Sequence, residues 1–240
     1  MPNEGVKLVR RCDPKAPVEL PRPTLERLPV YHRVIAAAVE AGEDYISSAE
    51  LGRRLQIDEA QVRRDLSIVW GKGKPGLGYE AAELLQCLED VLGFNNLSDA
   101  VLVGAGRLGL ALYHYPGFQT YGIDIVAVFD SDPAKIGTLL NPGDKYSSDH
   151  QVVLPLDKLG DLIRRMRIQL GVVTVPADQA QGVVNIMVEA GIKAIWNFAP
   201  VTLVVPAGVM VRNEDLVVGL ATLQYHLAQK MDIKSRGPEH

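Results

Sequence analysis

Three glycines in the middle of the chain have the spacing of a loop that binds the phosphates of a dinucleotide. The apolar run Ala100–Val103 predicts a buried strand, and a helical pattern follows the glycines. In a Gly-x-Gly-x-x-Gly loop the first glycine permits a tight turn, the second lets the backbone approach a pyrophosphate, and the third allows close packing of helix on strand. We therefore predict a cofactor-binding loop made of Gly104, Ala105, Gly106, Arg107, Leu108 and Gly109.

An acidic residue ends the next predicted strand, Ile123–Phe129. Asp130 follows the glycines by about 20 residues, which is the position of the ribose-binding acid in dinucleotide folds. Its carboxylate would accept hydrogen bonds from the ribose hydroxyls and repel a 2′-phosphate, so NADH and NAD⁺ are favoured over NADPH and NADP⁺. The alternative, that Asp130 caps the helix begun near Pro133, is less favoured because Ser131 and Asp132 are better placed for it.

Two further segments follow predicted strands and fall where a doubly wound sheet places its ligand. They supply the predicted contacts with the ribose-nicotinamide half, which are Thr174, Val175 and Pro176 in one segment and Asn197 and Phe198 in the other. Two alternatives stay open here. Either proline, Pro176 or Pro200, would otherwise only start a loop, and Arg107 either contacts the pyrophosphate or is a solvated side chain.

The N-terminal part of the chain predicts a helix-turn-helix. After a scaffold helix that begins near Thr24, Ser47 with Glu50 and Asp58 with Gln61 have the form of two capping boxes, each before a short helix. The glycine-rich stretch 71–79 then predicts a wing. Arg63 and Arg64 on the second short helix, with Lys72 and Lys74 in the wing, are the predicted DNA contacts, although basic residues on exposed helix faces are often only solvated.

These elements predict an α/β protein with two domains. From Asp99 onward short apolar runs alternate with helical segments, which indicates a Rossmann-type doubly wound parallel sheet. The expected divisions are a flexible arm at 1–23, a winged-helix domain at 24–93, the Rossmann domain at 94–212, a C-terminal dimerisation helix at 213–230 and a tail at 231–240. No membrane span and no signal peptide are recognisable, so we expect a cytoplasmic protein.

Catalytic machinery is not predicted. The five histidines show no metal-ligand spacing, and the chain has no Tyr-x-x-x-Lys motif of the kind that short-chain dehydrogenases use. We therefore expect no metal site, no catalytic residue and no enzyme. An NAD-dependent oxidoreductase is still the alternative, because the cofactor site alone would suit one.

The combination resembles the Rex family of redox-sensing transcriptional repressors. The segments that carry the resemblance are 27–33, 47–51, 61–67, 76–79, 104–109, 115–118, 174–176, 191–193 and 197–200. It implies a homodimer that binds double-stranded operator DNA in the presence of NAD⁺ and releases it when NADH binds. It also implies that Ser47, Gln61 and Ser67 belong to the DNA-binding surface, and that the C-terminal helix crosses to the partner subunit.

The resemblance further implies three residues that couple the cofactor to the orientation of the domains, namely Arg33, Tyr115 and Asp215. The sequence departs from the family pattern at Ile68-Val69-Trp70 and at Pro75, both in the DNA-binding part. A relative that binds NAD(H) but has lost operator recognition is therefore a third hypothesis.

Overall fold

We describe residues 20–141 and 151–235 of a computed structural model, in which the chain divides between Asn96 and Leu97 into two compact units. Most of the predicted arm, the last residues of the tail and most of a surface loop expected over Leu139–Gln151 lie outside the described residues. The predicted arm ends earlier than expected, because the first helix already begins at Arg22.

The first unit is a bundle of helices with a small sheet. Its elements are α1 (Arg22–Glu40), β1 (Tyr45–Ile46), α2 (Ser48–Leu55), α3 (Glu59–Val69), β2 (Tyr79–Glu80) and α4 (Ala81–Leu92). Both predicted caps form, since the side chain of Ser47 accepts from the Glu50 N–H and that of Asp58 from the Gln61 N–H. The core consists of buried apolar residues of all four helices, including Leu28, Tyr31, Ile35, Leu51, Val62, Leu66, Leu84 and Leu88.

A wing connects α3 to β2, and β2 pairs antiparallel with β1. Lys74 and Gly78 form a bridge across the wing. Gly78 has φ +95°, and a Cβ there would lie 2.5 Å from the Ile46 carbonyl oxygen. Only glycine at position 78 therefore allows the end of the wing to pass this close to β1.

The second unit is an α/β domain. In chain order it contains β3 (Ser98–Val103), α5 (Arg107–Tyr113), α6 (Gly117–Thr120), β4 (Ile123–Asp130), β5 (Leu154–Pro155), a 3₁₀ turn (Leu156–Lys158), α7 (Leu159–Met166), β6 (Leu170–Val173), α8 (Ala177–Ala190), β7 (Ala194–Asn197), β8 (Met210–Asn213) and α9 (Leu216–Ser235). The six strands in the described part of this unit are all parallel, in the order β5-β4-β3-β6-β7-β8.

That order is the 3-2-1-4-5-6 order of a dinucleotide-binding sheet. One face of the sheet packs on α7 and α8 through residues such as Ile163, Val184 and Met187, and the other face packs on Leu110 and Phe118. The predicted fold class, a winged helix-turn-helix followed by a doubly wound parallel sheet, is confirmed.

The last helix differs in its bounds from the prediction. It begins at Leu216 rather than Asn213, because Met210–Asn213 form the edge strand β8. The Asp215 carboxylate accepts from the Val217 N–H at 2.9 Å and so caps the first turn. Exchange of α9 with a partner subunit stays a prediction. No helix within the two described ranges combines the length and apolarity that crossing a bilayer requires.

Candidate dinucleotide site and DNA-binding surface

The glycine loop lies between β3 and α5, and two of its glycines are required by close backbone contacts. Gly104 has φ +110°, and a Cβ there would lie 2.7 Å from the Thr174 carbonyl oxygen. At Gly109 a Cβ would lie only 1.9 Å from the Gly104 carbonyl oxygen. A Cβ at Gly106, by contrast, would meet nothing within 4 Å, so this position faces open space that a ligand can enter.

Thr174, a predicted cofactor contact, braces this loop. Its Oγ1 lies 3.0 Å from the Val103 carbonyl oxygen and 2.9 Å from that of Gly104, so the single hydroxyl proton is shared between the two acceptors. Its backbone N–H also donates to the Val103 carbonyl. Thr174 therefore sets the shape of the loop.

Asp130 ends β4 and is buried, and its carboxylate accepts hydrogen bonds from three sides. Oδ2 accepts from the Ala105 N–H at 2.8 Å and from Lys135 Nζ at 2.9 Å, and Oδ1 accepts from the Asp132 N–H at 2.9 Å. Burial raises the pKa of Asp130, but these hydrogen bonds outweigh it and hold the pKa below its ordinary value. The group is therefore a carboxylate at neutral pH.

The helix expected near Pro133 is absent, because residues 133–137 form turns. Asp130 Oδ1 accepts from the Asp132 N–H and Asp132 Oδ1 accepts from the Ala134 N–H, both at 2.9 Å, so the two carboxylates stabilise this turn. Lys135 was missed, although it follows Asp130 in the same turn. A lysine soon after a ribose-binding acid is the signal that would have indicated it.

A cavity of about 460 Å³ joins these features. Its lining includes Gly104, Gly106, Asp130, Lys135, Thr174, Val175, Pro176 and Gln179. The glycine loop, Asp130 and the segment after β6 therefore meet in one cavity. Arg107 and Leu108 are exposed at the start of α5.

Six of the twelve predicted cofactor residues line this cavity; Ala105, Arg107, Leu108 and Gly109 of the loop do not, and neither do Asn197 and Phe198 after β7. Asn197 is buried, and its Nδ2 donates to the Ala199 and Val201 carbonyls and to the side chain of Asn213. Its Oδ1 accepts from the Ala199 N–H, so the amide is fully used in building the loop after β7. Phe198 packs against Trp196, with ring centroids 4.7 Å apart and the rings tilted by 54°.

An aromatic row connects Phe198 to Tyr115. Tyr115 packs edge-on against Phe118, which packs in turn against Trp196. Tyr115 is 53% exposed and available to a ligand or a partner. Of the other two predicted coupling residues, Arg33 is exposed on α1 of the first unit and Asp215 is exposed just before α9.

In the first unit, α3 and the wing enclose a groove of about 790 Å³. Six of the seven predicted DNA-binding residues line it, namely Ser47, Arg63, Arg64, Ser67, Lys72 and Lys74. Gln61 lies outside the lining, one turn before Arg64. The four basic side chains in this lining, Arg63, Arg64, Lys72 and Lys74, are of the type that contacts DNA phosphates and base edges.

Two of these basic side chains, Arg63 and Lys74, form ion pairs with acidic residues of the same unit. Arg63 forms an ion pair with Glu59, and Lys74 Nζ lies 3.3 Å from a carboxylate oxygen of Glu80 and 3.0 Å from the hydroxyl of Tyr45. Lys72 is exposed at the wing. A phosphate would therefore have to compete with an internal acid at Arg63 and Lys74.

A buried acid at the back of α3 was missed. Asp65 is 1% exposed. It accepts from Thr24 Oγ1 (2.9 Å), Arg27 Nε (2.7 Å), Arg27 Nη2 (2.9 Å), the Tyr31 hydroxyl (2.7 Å) and Gln61 Nε2 (3.0 Å). Burial raises the pKa of Asp65, but the Arg27, Tyr31, Thr24 and Gln61 donors outweigh it and lower the pKa. The only sequence signal for the burial of Asp65 was its position directly before Leu66, a residue of the buried face of α3.

Comparisons with known proteins agree with both units. A family model described as "Putative DNA-binding protein N-terminus" matches residues 19–67, and one described as "CoA binding domain" matches residues 95–201. A redox-sensing transcriptional repressor Rex of Chloroflexus aurantiacus is 42% identical over 88% of this chain and 96% of its own. The protein of that name from Carboxydothermus hydrogenoformans is 41% identical over 87% of this chain and 97% of its own.

Solved structures give the same result. The crystal structure of RSP in complex with β-NAD⁺ and operator DNA matches with a TM-score of 0.81 at 32% identity, covering 91% of this chain and 99% of that one. The structure of RSP in complex with β-NADH matches with a TM-score of 0.78 at 30% identity, with the same coverage. RSP is described as a Rex-family repressor.

Proposed function

Because the chain belongs to the Rex family of redox-sensing transcriptional repressors, we propose that it binds operator DNA through α3 and the wing and is released by NADH. The observation that carries this proposal is the cavity in which the glycine loop, Asp130 and Thr174 meet, in a chain that also has a basic groove beside α3. RSP, similar over nearly the whole chain, was crystallised with NAD⁺ and operator DNA and also with NADH.

The cofactor would sit along the C-terminal ends of the strands. We assign the phosphates to the loop 104–109, the adenosine ribose to Asp130, and the edge of the cavity to Thr174, Val175 and Pro176. Asn197 and Phe198 would contribute to the nicotinamide end through the loop that Asn197 builds and through the aromatic row. NADH and NAD⁺ differ by one hydride, so the coupling must arise at that end.

The coupling itself is a difference in affinity. A ligand shifts an equilibrium between two conformations only by binding them unequally, typically by about 1–3 kcal/mol in allosteric proteins. NADH must therefore bind the DNA-free conformation more tightly than the DNA-bound one. Arg33, Tyr115 and Asp215 are the residues that we propose for this coupling.

Two copies of the chain are expected to act together. Helix α9 exposes apolar side chains in the single chain, and a homodimer would cover them. They are Val217, Val218, Leu220, Leu223 and Leu227. A two-fold symmetric operator would then present one half-site to each winged-helix unit. A repressor needs access to the chromosome, so we place it in the cytoplasm.

Binding of DNA in the presence of each cofactor tests the proposal. A duplex enriched by the protein from its upstream genomic DNA is labelled and titrated in fluorescence anisotropy without cofactor, with NAD⁺ and with NADH. We expect NADH to weaken binding by about tenfold or more, in line with a coupling above 1.4 kcal/mol. Equal affinity with NADH and NAD⁺ would reject the sensor function, and failure to enrich any duplex would leave only cofactor binding.

A further inference from the structure

Two adjacent arginines of α3 face the groove, and their internal partners differ in charge. Arg63 is paired with the carboxylate of Glu59, which also accepts from Ser48 Oγ. Arg64 Nη2 donates to the neutral amide oxygen of Gln61 at 2.9 Å. Arg64 is therefore held in one orientation without being neutralised, whereas Arg63 must exchange an acid for any DNA group it binds.

The orientation of the Gln61 amide is fixed by the buried acid behind it. Gln61 Nε2 donates to Asp65 Oδ1 at 3.0 Å, and a carboxylate can only accept. A flipped amide would set its oxygen against Asp65, so Oε1 must point toward Arg64. Asp65 is itself fixed by Thr24, Arg27 and Tyr31 of α1.

We infer that Asp65 is a positioning residue which, through Gln61, orients the Arg64 guanidinium for a sequence-specific contact in the DNA major groove. This inference rests on the proposed function. One N–H of Arg64 is used by Gln61, and the others remain for a guanine edge, which takes a bidentate arginine. Arg64 therefore reads a base, and Arg63 contributes the less specific phosphate contact.

The hydrogen-bonded series from Asp65 through Gln61 to Arg64, here called the relay, increases DNA affinity by holding the Arg64 side chain in place before DNA binds. An unrestrained arginine side chain loses rotamer freedom when it binds, and a side chain already held in its bound geometry loses less. The relay also connects α1 to the groove, so the side chain that reads DNA is aligned with the scaffold of the domain. If Asp65 had only a structural role, its replacement would weaken DNA binding equally in the presence and in the absence of the Arg64 side chain.

A double-mutant cycle separates these two roles. The probe is the duplex most enriched by the full-length protein from a randomised pool, with an unrelated duplex of equal length as the non-specific reference. Asp65→Asn is measured in the unchanged chain, in Arg64→Ala and in Arg63→Ala, and urea unfolding is followed for each variant. Asp44→Asn, which changes an exposed acid of the same unit, controls for the altered net charge.

We expect Asp65→Asn to weaken binding to the enriched duplex by about tenfold in the unchanged chain and in Arg63→Ala, but by less than twofold in Arg64→Ala. Binding to the unrelated duplex should change by less than twofold. Equal losses in all three backgrounds would overturn the relay and leave Asp65 a structural residue.

A second variant decides the matter if Asp65→Asn does not fold. Gln61→Leu interrupts the relay and leaves Asp65 with its donors from α1. Its loss of affinity should likewise disappear in the Arg64→Ala background, and persistence there would refute the relay. If the unchanged protein enriches no duplex, the proposed function fails, whereas enrichment without coupling to Arg64 overturns the relay alone.

Discussion

Lys135 Nζ lies 2.9 Å from Oδ2 of Asp130, so the acid expected to meet the adenosine ribose is already paired with a cation. The lysine side chain is 40% exposed and lies on the cavity wall with Asp130. In a site where a carboxylate excludes a 2′-phosphate, such a cation reduces the repulsion. We therefore expect selectivity for NADH over NADPH to depend on both residues.

Replacement of Lys135 by Met should sharpen the selectivity for NADH. The unpaired carboxylate of Asp130 would repel a 2′-phosphate more strongly, so NADPH affinity should fall by about tenfold more than NADH affinity, a difference of about 1.4 kcal/mol. Both affinities are measured by nucleotide fluorescence titration. Asp130→Asn should change the ratio in the opposite direction, and an unchanged ratio in both variants would exclude a ribose role for this pair.

The contact at Gly109 predicts a specific defect in cofactor binding. A methyl group there would lie 1.9 Å from the Gly104 carbonyl oxygen, so Gly109→Ala must displace the loop. Overpacking of this kind costs about 1–3 kcal/mol, and NADH affinity should fall at least tenfold. Calorimetric titration with NADH measures the loss.

Gly182→Ala in α8 is the matched control, because a Cβ there meets nothing within 4 Å. Alanine is a better helix former than glycine by about 0.5–1 kcal/mol, so this variant should unfold at slightly higher urea and bind NADH normally. Loss of NADH binding in the control, or normal binding in Gly109→Ala, would contradict the assignment of the loop.

The hydrogen bonds to Asp65 predict that acid destabilises the first unit. Its pKa is lower in the folded chain than the ordinary value of 3.8, so its stabilising contribution is present above pH 3.8 and is lost as the pH falls toward the folded-state pKa. Removal of the carboxylate in Asp65→Ala leaves Arg27 without its partner and should cost about 3 kcal/mol at pH 7.

Urea unfolding between pH 7 and pH 3, followed by the fluorescence of Trp70 in the first unit, measures this dependence. Asp65→Asn should unfold at lower urea at pH 7 and show a weaker loss of stability below pH 3.8 than the unchanged chain. Asp130 also has a lowered pKa, and its unit contains Trp196, so Trp196→Phe removes that signal. If the free energy of unfolding changed with pH in the same way in Asp65→Asn and in the unchanged chain, Asp65 would not stabilise the unit through its charge.

The sequence predicted the elements that carry the two sites because their signals are local. Caps at Ser47 and Asp58, the glycine spacing and the strand that ends at Asp130 each lie within a few residues. What it could not predict are contacts across elements. Asp65 with Arg27 depends on which helix faces meet after folding, and the inward amide of Asn197 depends on a loop whose backbone groups needed partners.

Helix α9 gives the last prediction, which concerns assembly. Leu223 and Leu227 are about 60% exposed, and burying two such side chains stabilises an interface by roughly 1.5–3 kcal/mol each. In a symmetric dimer each substitution acts twice, once in each subunit. If the chain dimerises through α9 as proposed, Leu223→Glu with Leu227→Glu should convert the dimer to a monomer at micromolar concentration, as measured by sedimentation equilibrium.

Gln224→Glu on the same helix adds an acid without removing an apolar side chain, and it should remain dimeric. The monomeric double variant should also bind a two-fold symmetric duplex much more weakly, because two linked half-sites engage with a high effective concentration that separate chains lack. A double variant that stays dimeric would place the subunit interface elsewhere. A monomer that keeps full DNA affinity would separate dimerisation from repression.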